Sequence, residues 1–131
     1  MILLGQDEFV AGWVGKLINI DDFGKCIAVG IIKDDEIICG MIFHNYMKSP
    51  DDKPISIETS IASIDKSWCT RHNLEILFSY PFIQLGVKRL QTTCSAEKPD
   101  IRSFNERLGF KLEGIGREAW HTGGDSAHYS M

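Results

Sequence analysis

The stretch Ile55–Leu90 constrains this chain most, because its hydrophobic period changes twice within it. Ile55-Ser-Ile-Glu-Thr-Ser-Ile-Ala-Ser-Ile64 alternates with period two and is rich in β-branched residues, the pattern of a half-buried strand. Asp65–Thr70 breaks that pattern with short polar residues. From Thr70 to Gln84 the period is helical, with Leu74, Leu77, Phe78, Phe82 and Leu85 on one face. Pro81 is expected to bend or end this helix early, since it lacks an amide donor and crowds the carbonyl of Leu77. Gly86 closes the helix, and Lys88–Cys94 reads as the next strand. A strand feeding a helix through a tight turn gathers unpaired N–H groups and the positive dipole end at one spot. That spot suits a phosphate, and in open α/β sheets ligands collect at the carboxyl ends of strands.

The chain flanking this unit is short. At 131 residues it has room for one domain with a real core, so residues 1–131 are expected to form a single domain. A formal net charge of −4 with no basic block argues against a nucleic-acid binder. Cys26, Cys39, Cys69 and Cys94 are far apart and form no C-x-x-C pair, which favours reduced thiols over zinc or a disulfide framework. No apolar run approaches the length of a membrane span, and no signal-peptide pattern opens the chain. The expectation is a soluble, cytoplasmic protein that binds neither membrane nor metal.

Met1–Leu4 is a candidate edge strand. Asp7 is a candidate cap for a helix whose buried face is Phe9, Val10, Trp13, Val14 and Leu17. Gly12 and Gly15 either keep one side of that helix slim for a substrate or serve packing. Cys26–Ile32 and Glu36–Phe43 form an antiparallel hairpin, His44–Tyr46 ends its second strand, and Met47–Lys53 is an overhanging loop. After the central unit, Pro99 and Asp100 begin a helix with Ile101, Phe104 and Leu108 as its buried stripe and Gly109 as its stop. Phe110–Trp120 is a strand disturbed by Gly114 and Gly116. Thr122–Asp125 is a turn, and Ala127, Tyr129 and Met131 share a face of the last strand. The expected class is α/β (α+β): a mixed, mainly antiparallel sheet with helices on both faces.

This order, together with Leu108-Gly-Phe-Lys-Leu-Glu-Gly114, Arg117 and the closing Asp125-Ser-Ala-His-Tyr-Ser-Met131, resembles the GCN5-related N-acetyltransferases, the GNAT superfamily. The tail is most similar to enzymes that acetylate ribosomal-protein or other protein N-termini. The resemblance covers roughly Cys26 to Met131. It implies acetyl-coenzyme A as co-substrate and an amine as acceptor, with direct transfer and no covalent enzyme intermediate. It places the coenzyme against Ile61, Ala62 and Ser63, against the turn Ser67, Trp68, Cys69, Thr70 and Arg71, and near Cys94, Phe104 and Arg107. A homodimer is consistent with it.

The departures from the family pattern are specific. Its pyrophosphate loop carries Arg or Gln and then glycines, where this chain has Asp65, Trp68 and Thr70. Glycine lets backbone approach phosphate closely, and Trp68 cannot copy that. Asp65 also has the wrong charge. The helix N-terminus, the Ser67 and Thr70 hydroxyls and Arg71 remain as phosphate partners, with Trp68 covering the loop or packing on the coenzyme. Lys98 stands where relatives often have asparagine, and Asn105 replaces a common tyrosine acid.

Acetyl transfer to an amine needs a base, a polarised carbonyl and a proton for the departing thiolate. Glu58 is the sole acid of its strand and the candidate base; the competing reading is a solvated carboxylate. Tyr129 is the candidate proton donor, or else a core tyrosine. Arg71 is the candidate phosphate grip, or else an ion-pair partner of Glu75. Cys94 reads as packing rather than as a nucleophile. His44, His121 and His128 make a poor metal set but suit the amine's path. The competing functional reading is a non-catalytic acyl-coenzyme A-binding or protein-interaction module with the same fold.

Overall fold

The computed structural model describes residues Met1–Met131 and divides into two compact units, Met1–Lys88 and Arg89–Met131. In the first unit the strands β1 (Ile2–Leu3), β2 (Cys26–Lys33), β3 (Glu36–Lys48) and β4 (Pro54–Ser63) pair antiparallel in that order. The β2–β3 hairpin turns on Asp34 and Asp35, both at positive φ, which matches the right-handed twist of the flanking strands.

Helix α1 (Asp7–Ile18) covers one face of this sheet. Its Val10 and Val14 pack on Ala28, Ile42 and Ala62. Close approach depends on Gly40, where an added Cβ would lie 2.4 Å from Val14 Cγ2. Two expectations about α1 are corrected here. Gln6, not Asp7, occupies the cap position, because the Asp7 carboxylate instead accepts the Ala28 N–H at 2.9 Å. Phe9 and Leu17 are exposed at 57% and 47%, since a helix this close to a sheet buries only the narrow Val10–Val14 stripe. Gly15 serves packing, because a Cβ there would strike the Ile20 carbonyl, whereas Gly12 has open space beside it.

The strand β3 runs five residues beyond Phe43, so the expected Met47–Lys53 loop shrinks to Ser49–Lys53. A bulge between His44 and Met47 and a positive φ at Asn45 let the strand continue while re-aiming its side chains. After β4 comes a single 3₁₀ turn, Lys66–Trp68, and then α2 (Arg71–Ser79) capped by the Thr70 hydroxyl. Pro81 ends the regular helix as expected: Tyr80–Leu85 widens into a π-helical turn, and the left-handed Gly86 donates its N–H to the Pro81 carbonyl. On the sheet face away from α1, Phe43 meets Tyr80 with ring centroids 5.0 Å apart.

In the second unit β7 (Ser126–Ser130) lies between β5 (Arg89–Ser95) and β6 (Lys111–Gly116), antiparallel to both. Helix α3 (Pro99–Leu108) starts at Pro99 and stops at Gly109, as the sequence indicates. Its expected apolar stripe is corrected. Asn105 is the buried residue, while Ile101 is 43% exposed and Phe104 and Leu108 are half-buried. The strand expected over Phe110–Trp120 ends at Gly116, because Arg117–Asp125 forms a wide turn in which the Asp125 carboxylate accepts the Glu118 N–H. The class is the expected one: mixed α/β, with antiparallel strand pairs in each unit and helices packed on them.

Candidate active site

Register places Cys26, His44 and Glu58 opposite one another on β2, β3 and β4, in one row on the α1 face. The next row holds Ala28, Ile42 and Ser60, so His44 and Glu58 sit where the apolar face turns polar. His44 is only 8% exposed. Its Nε2 lies 3.1 Å from Ser60 Oγ and 3.9 Å from Glu58 Oε2. Burial pulls its pKa below the usual histidine value, and the Glu58 charge partly restores it. The Phe23 ring meets the imidazole edge-on with centroids 5.4 Å apart. Glu58 is half-buried, and its other oxygen accepts a hydrogen bond from Asn45 Nδ2 at 3.1 Å. The β3 bulge, invisible as a period in the sequence, is what brings Asn45 there.

This row borders a cleft of about 410 Å³ lined by Asp7, Glu8, Gly12, Asp21, Asp22 and Phe23, among others. Cys26 and Phe23 connect cleft and row: both line the cleft, and both face His44. The Cys26 thiol pKa is raised, first by burial and then by Asp7 and Asp22. Gly12 lines the cleft with open space beside it, whereas Gly15 is packed against the Ile20 carbonyl.

The second cluster lies at the far end of β4. Ile61 is half-buried, Ala62 buried and Ser63 exposed, and Ser67, Cys69, Thr70 and Arg71 are all exposed. Trp68 is 2% exposed, so it packs inside rather than covering the loop. Asp65 accepts the Ser67 N–H at 2.9 Å, and Lys33 Nζ stands 3.4 Å from its carboxylate and 3.2 Å from Ser67 Oγ. Lys33 belongs to the β2–β3 hairpin and goes unnoticed in a linear reading, because only the fold brings it to this loop. Arg71 pairs with Glu75 at 3.3 Å while its side chain remains 94% exposed. The first two amides of α2, those of Arg71 and His72, have no partner within the helix. Two hydroxyls, two cations and a helix N-terminus suit phosphate oxygens, and Lys33 offsets the misplaced charge of Asp65.

In the second unit Tyr129 is 1% exposed. Its hydroxyl accepts from Arg102 Nε at 3.1 Å and faces Glu106 Oε1 at 3.5 Å, which makes it a core tyrosine with a satisfied polar end. Cys94 is buried beside Asn105, and burial raises its thiol pKa. Arg107 is exposed on α3. His128 bonds Ser126 Oγ at 2.7 Å, and His121 stacks edge-on against Trp120. No group of three or more His, Cys, Asp or Glu side chains is arranged to hold a metal ion. No helix is long and apolar enough to cross a membrane.

Solved structures share this arrangement of elements. An acetyltransferase of the GNAT family from Streptococcus pneumoniae matches with TM-score 0.70 and 12% identity, over 100% of this chain and 98% of that one. The fold is that of the GCN5-related N-acetyltransferases. Ribosomal-protein-alanine N-acetyltransferase from Brucella melitensis matches with TM-score 0.71 and 9% identity, over 100% of this chain and 98% of that one. A mutant of spermidine N-acetyltransferase SpeG from Vibrio cholerae matches with TM-score 0.70 and 10% identity, over 100% and 94%. No family model matches the sequence, and no curated protein matches it. The GNAT likeness is thus carried by three-dimensional structure at very low identity.

Proposed function

We propose that residues 1–131 act as one acetyl-coenzyme A-dependent N-acetyltransferase domain that passes an acetyl group directly to a primary amine. The observation that carries this reading is Glu58: a half-buried carboxylate on β4, held by Asn45, beside a cleft wide enough for an amine. Acetyl-coenzyme A supplies the activated acetyl group as a thioester. Ser67, Thr70, Arg71, Lys33 and the first amides of α2 hold its phosphates. Glu58 takes the proton that the amine must lose before it can attack. The carboxylates of Asp7, Glu8, Asp21 and Asp22 favour an acceptor that arrives as a cation. Ile61–Ser63 and Cys69 complete the proposed coenzyme contacts of this unit, and Trp68 supports the loop from beneath.

The second reading, a coenzyme-binding module without turnover, draws on Asp65 and Trp68 standing where the family has glycine-rich loop. Calorimetric titration with acetyl-coenzyme A, followed by thiol release with a panel of primary amines, separates the two. The panel includes an alkyl diamine, spermidine and a peptide with N-terminal alanine. Binding with amine-dependent thiol release supports the enzyme. Binding without release from any amine supports the module, and no binding removes both.

A further inference from the structure

We propose that His44 is the positioning residue of the base: Glu58 meets the amine, and the buried imidazole on the neighbouring strand, held by Ser60, sets the charge beside that carboxylate. This rests on the reading of Glu58 as the base. Its independent ground is geometric. The imidazole is enclosed, its Nε2 points to both Ser60 Oγ and Glu58 Oε2, and Phe23 fixes the ring plane from the cleft side. A histidine needed only for packing would not require a carboxylate 3.9 Å from its Nε2 on the neighbouring strand.

The groups facing His44 are few. From β4 they are Glu58 and Ser60; from β2 the Cys26 thiol; from the segment before β2, Phe23. The carboxylates of Asp7 on α1 and Asp22 reach this row through their effect on Cys26. Glu58 is therefore the one charged side chain in direct reach of the ring. The ammonium proton moves to a Glu58 oxygen, leaving a neutral amine ready to attack, and the imidazole 3.9 Å away, held by Ser60, acts on that carboxylate through its charge. No electrons or further reactants are needed. When acid charges His44, the imidazolium beside Glu58 makes that carboxylate a poorer proton acceptor, so acid weakens the enzyme through the histidine.

The test begins without any substrate. NMR titration of the His44 imidazole in the parent and in Glu58→Gln should show a lower protonation midpoint in the variant, because the carboxylate that favours the imidazolium is gone. Identical midpoints would overturn the pair. His44→Gln, assayed with the alkyl diamine or whichever panel amine gives turnover, should lower kcat about 10-fold with KM nearly unchanged. Its acid limb in kcat/KM should move to lower pH, towards the carboxylate range. An unmoved acid limb and a normal kcat would sink the proposal even if Glu58→Gln is inactive. A fully active Glu58→Gln would instead remove the base reading itself, leaving the NMR coupling to stand or fall separately. Should His44→Gln fail to fold, Ser60→Ala keeps the ring but removes its partner. It is expected to shift both the midpoint and the acid limb in the parent background, and no shift in either counts against the pair.

Discussion

Glu58 and Glu113 each pair with a basic side chain from another strand, yet the two pairs are built to opposite ends. Glu113 takes Arg89 in a two-bond clasp, with Nη1 2.8 Å from one oxygen and Nη2 on the other. That clasp, with help from Ser130, holds its carboxyl down to about 2. A carboxylate held so firmly ionised has no appetite for a proton near neutrality. Glu58 is half as exposed, with 21% of its side chain accessible against 42% for Glu113. Its partner is an imidazole 3.9 Å away whose own charging is opposed by burial. The tighter ion pair is therefore the inert one. On the proposed reading, proton chemistry belongs to the looser pair, whose imidazole burial keeps from charging readily.

The largest test of this contrast is turnover. Glu58→Gln should cut kcat roughly 100-fold or more while leaving acetyl-coenzyme A affinity almost unchanged. Glu113→Gln should leave kcat within about two-fold of the parent, since an exposed surface pair contributes little beyond local order. Equal losses in the two variants would erase the distinction.

How much of this was legible beforehand follows the range of each signal. The strand–turn–helix–strand unit, the β2–β3 hairpin, the break at Pro81 and the stop at Gly109 depend on local chemistry, and the sequence displays them. Glu58 was visible as the lone acid of its strand. Its partners were not, because Asn45 reaches it through a bulge and His44 through cross-strand register. Lys33 lies more than thirty positions before Ser67, and only hairpin geometry joins them. The buried faces of α1 and α3 were misjudged for one reason. Periodicity identifies a helix face but not how much of it a neighbour covers, and here Phe9, Leu17 and Ile101 stay exposed.

The next effect concerns the still more exposed Arg71–Glu75 pair, to which a ligand is assigned. Arg71→Ala should weaken acetyl-coenzyme A binding about 10-fold, at about 1.4 kcal/mol per decade. The guanidinium must leave Glu75 to meet phosphate, so its net gain sits at the low end for a charge-assisted bond. Raising salt should weaken the parent more than the variant. Calorimetry at two ionic strengths checks both statements, and unchanged affinity at low salt would place the phosphates elsewhere. A smaller shift is expected in the cleft. Glu8→Gln combined with Asp21→Asn should raise KM for a cationic amine about three-fold and leave kcat nearly unaltered, because exposed carboxylates act by attraction through solvent. A neutral-tailed amine should not notice the change.

The smallest effect is on stability, and it separates the two pairs by pH. Glu113 has a folded pKa of about 2, depressed from an ordinary 4.5. Its contribution is therefore complete above pH 4.5 and disappears as pH falls toward 2. His44 has a folded pKa below its ordinary 6.5, so the unfolded chain binds its proton first. Folding is then free of that penalty above pH 6.5 and loses stability as pH falls below it. Urea unfolding of the parent, His44→Gln and Arg89→Met across this range should show two separate steps. Replacing His44 removes the step that begins near pH 6.5, and replacing Arg89 flattens the one below pH 4.5. High salt should shrink the Arg89 step more than the His44 step, because solvent ions screen an exposed clasp and hardly reach an enclosed ring. If salt diminishes both alike, burial does not distinguish the two pairs, and the contrast on which Glu58 was singled out no longer holds.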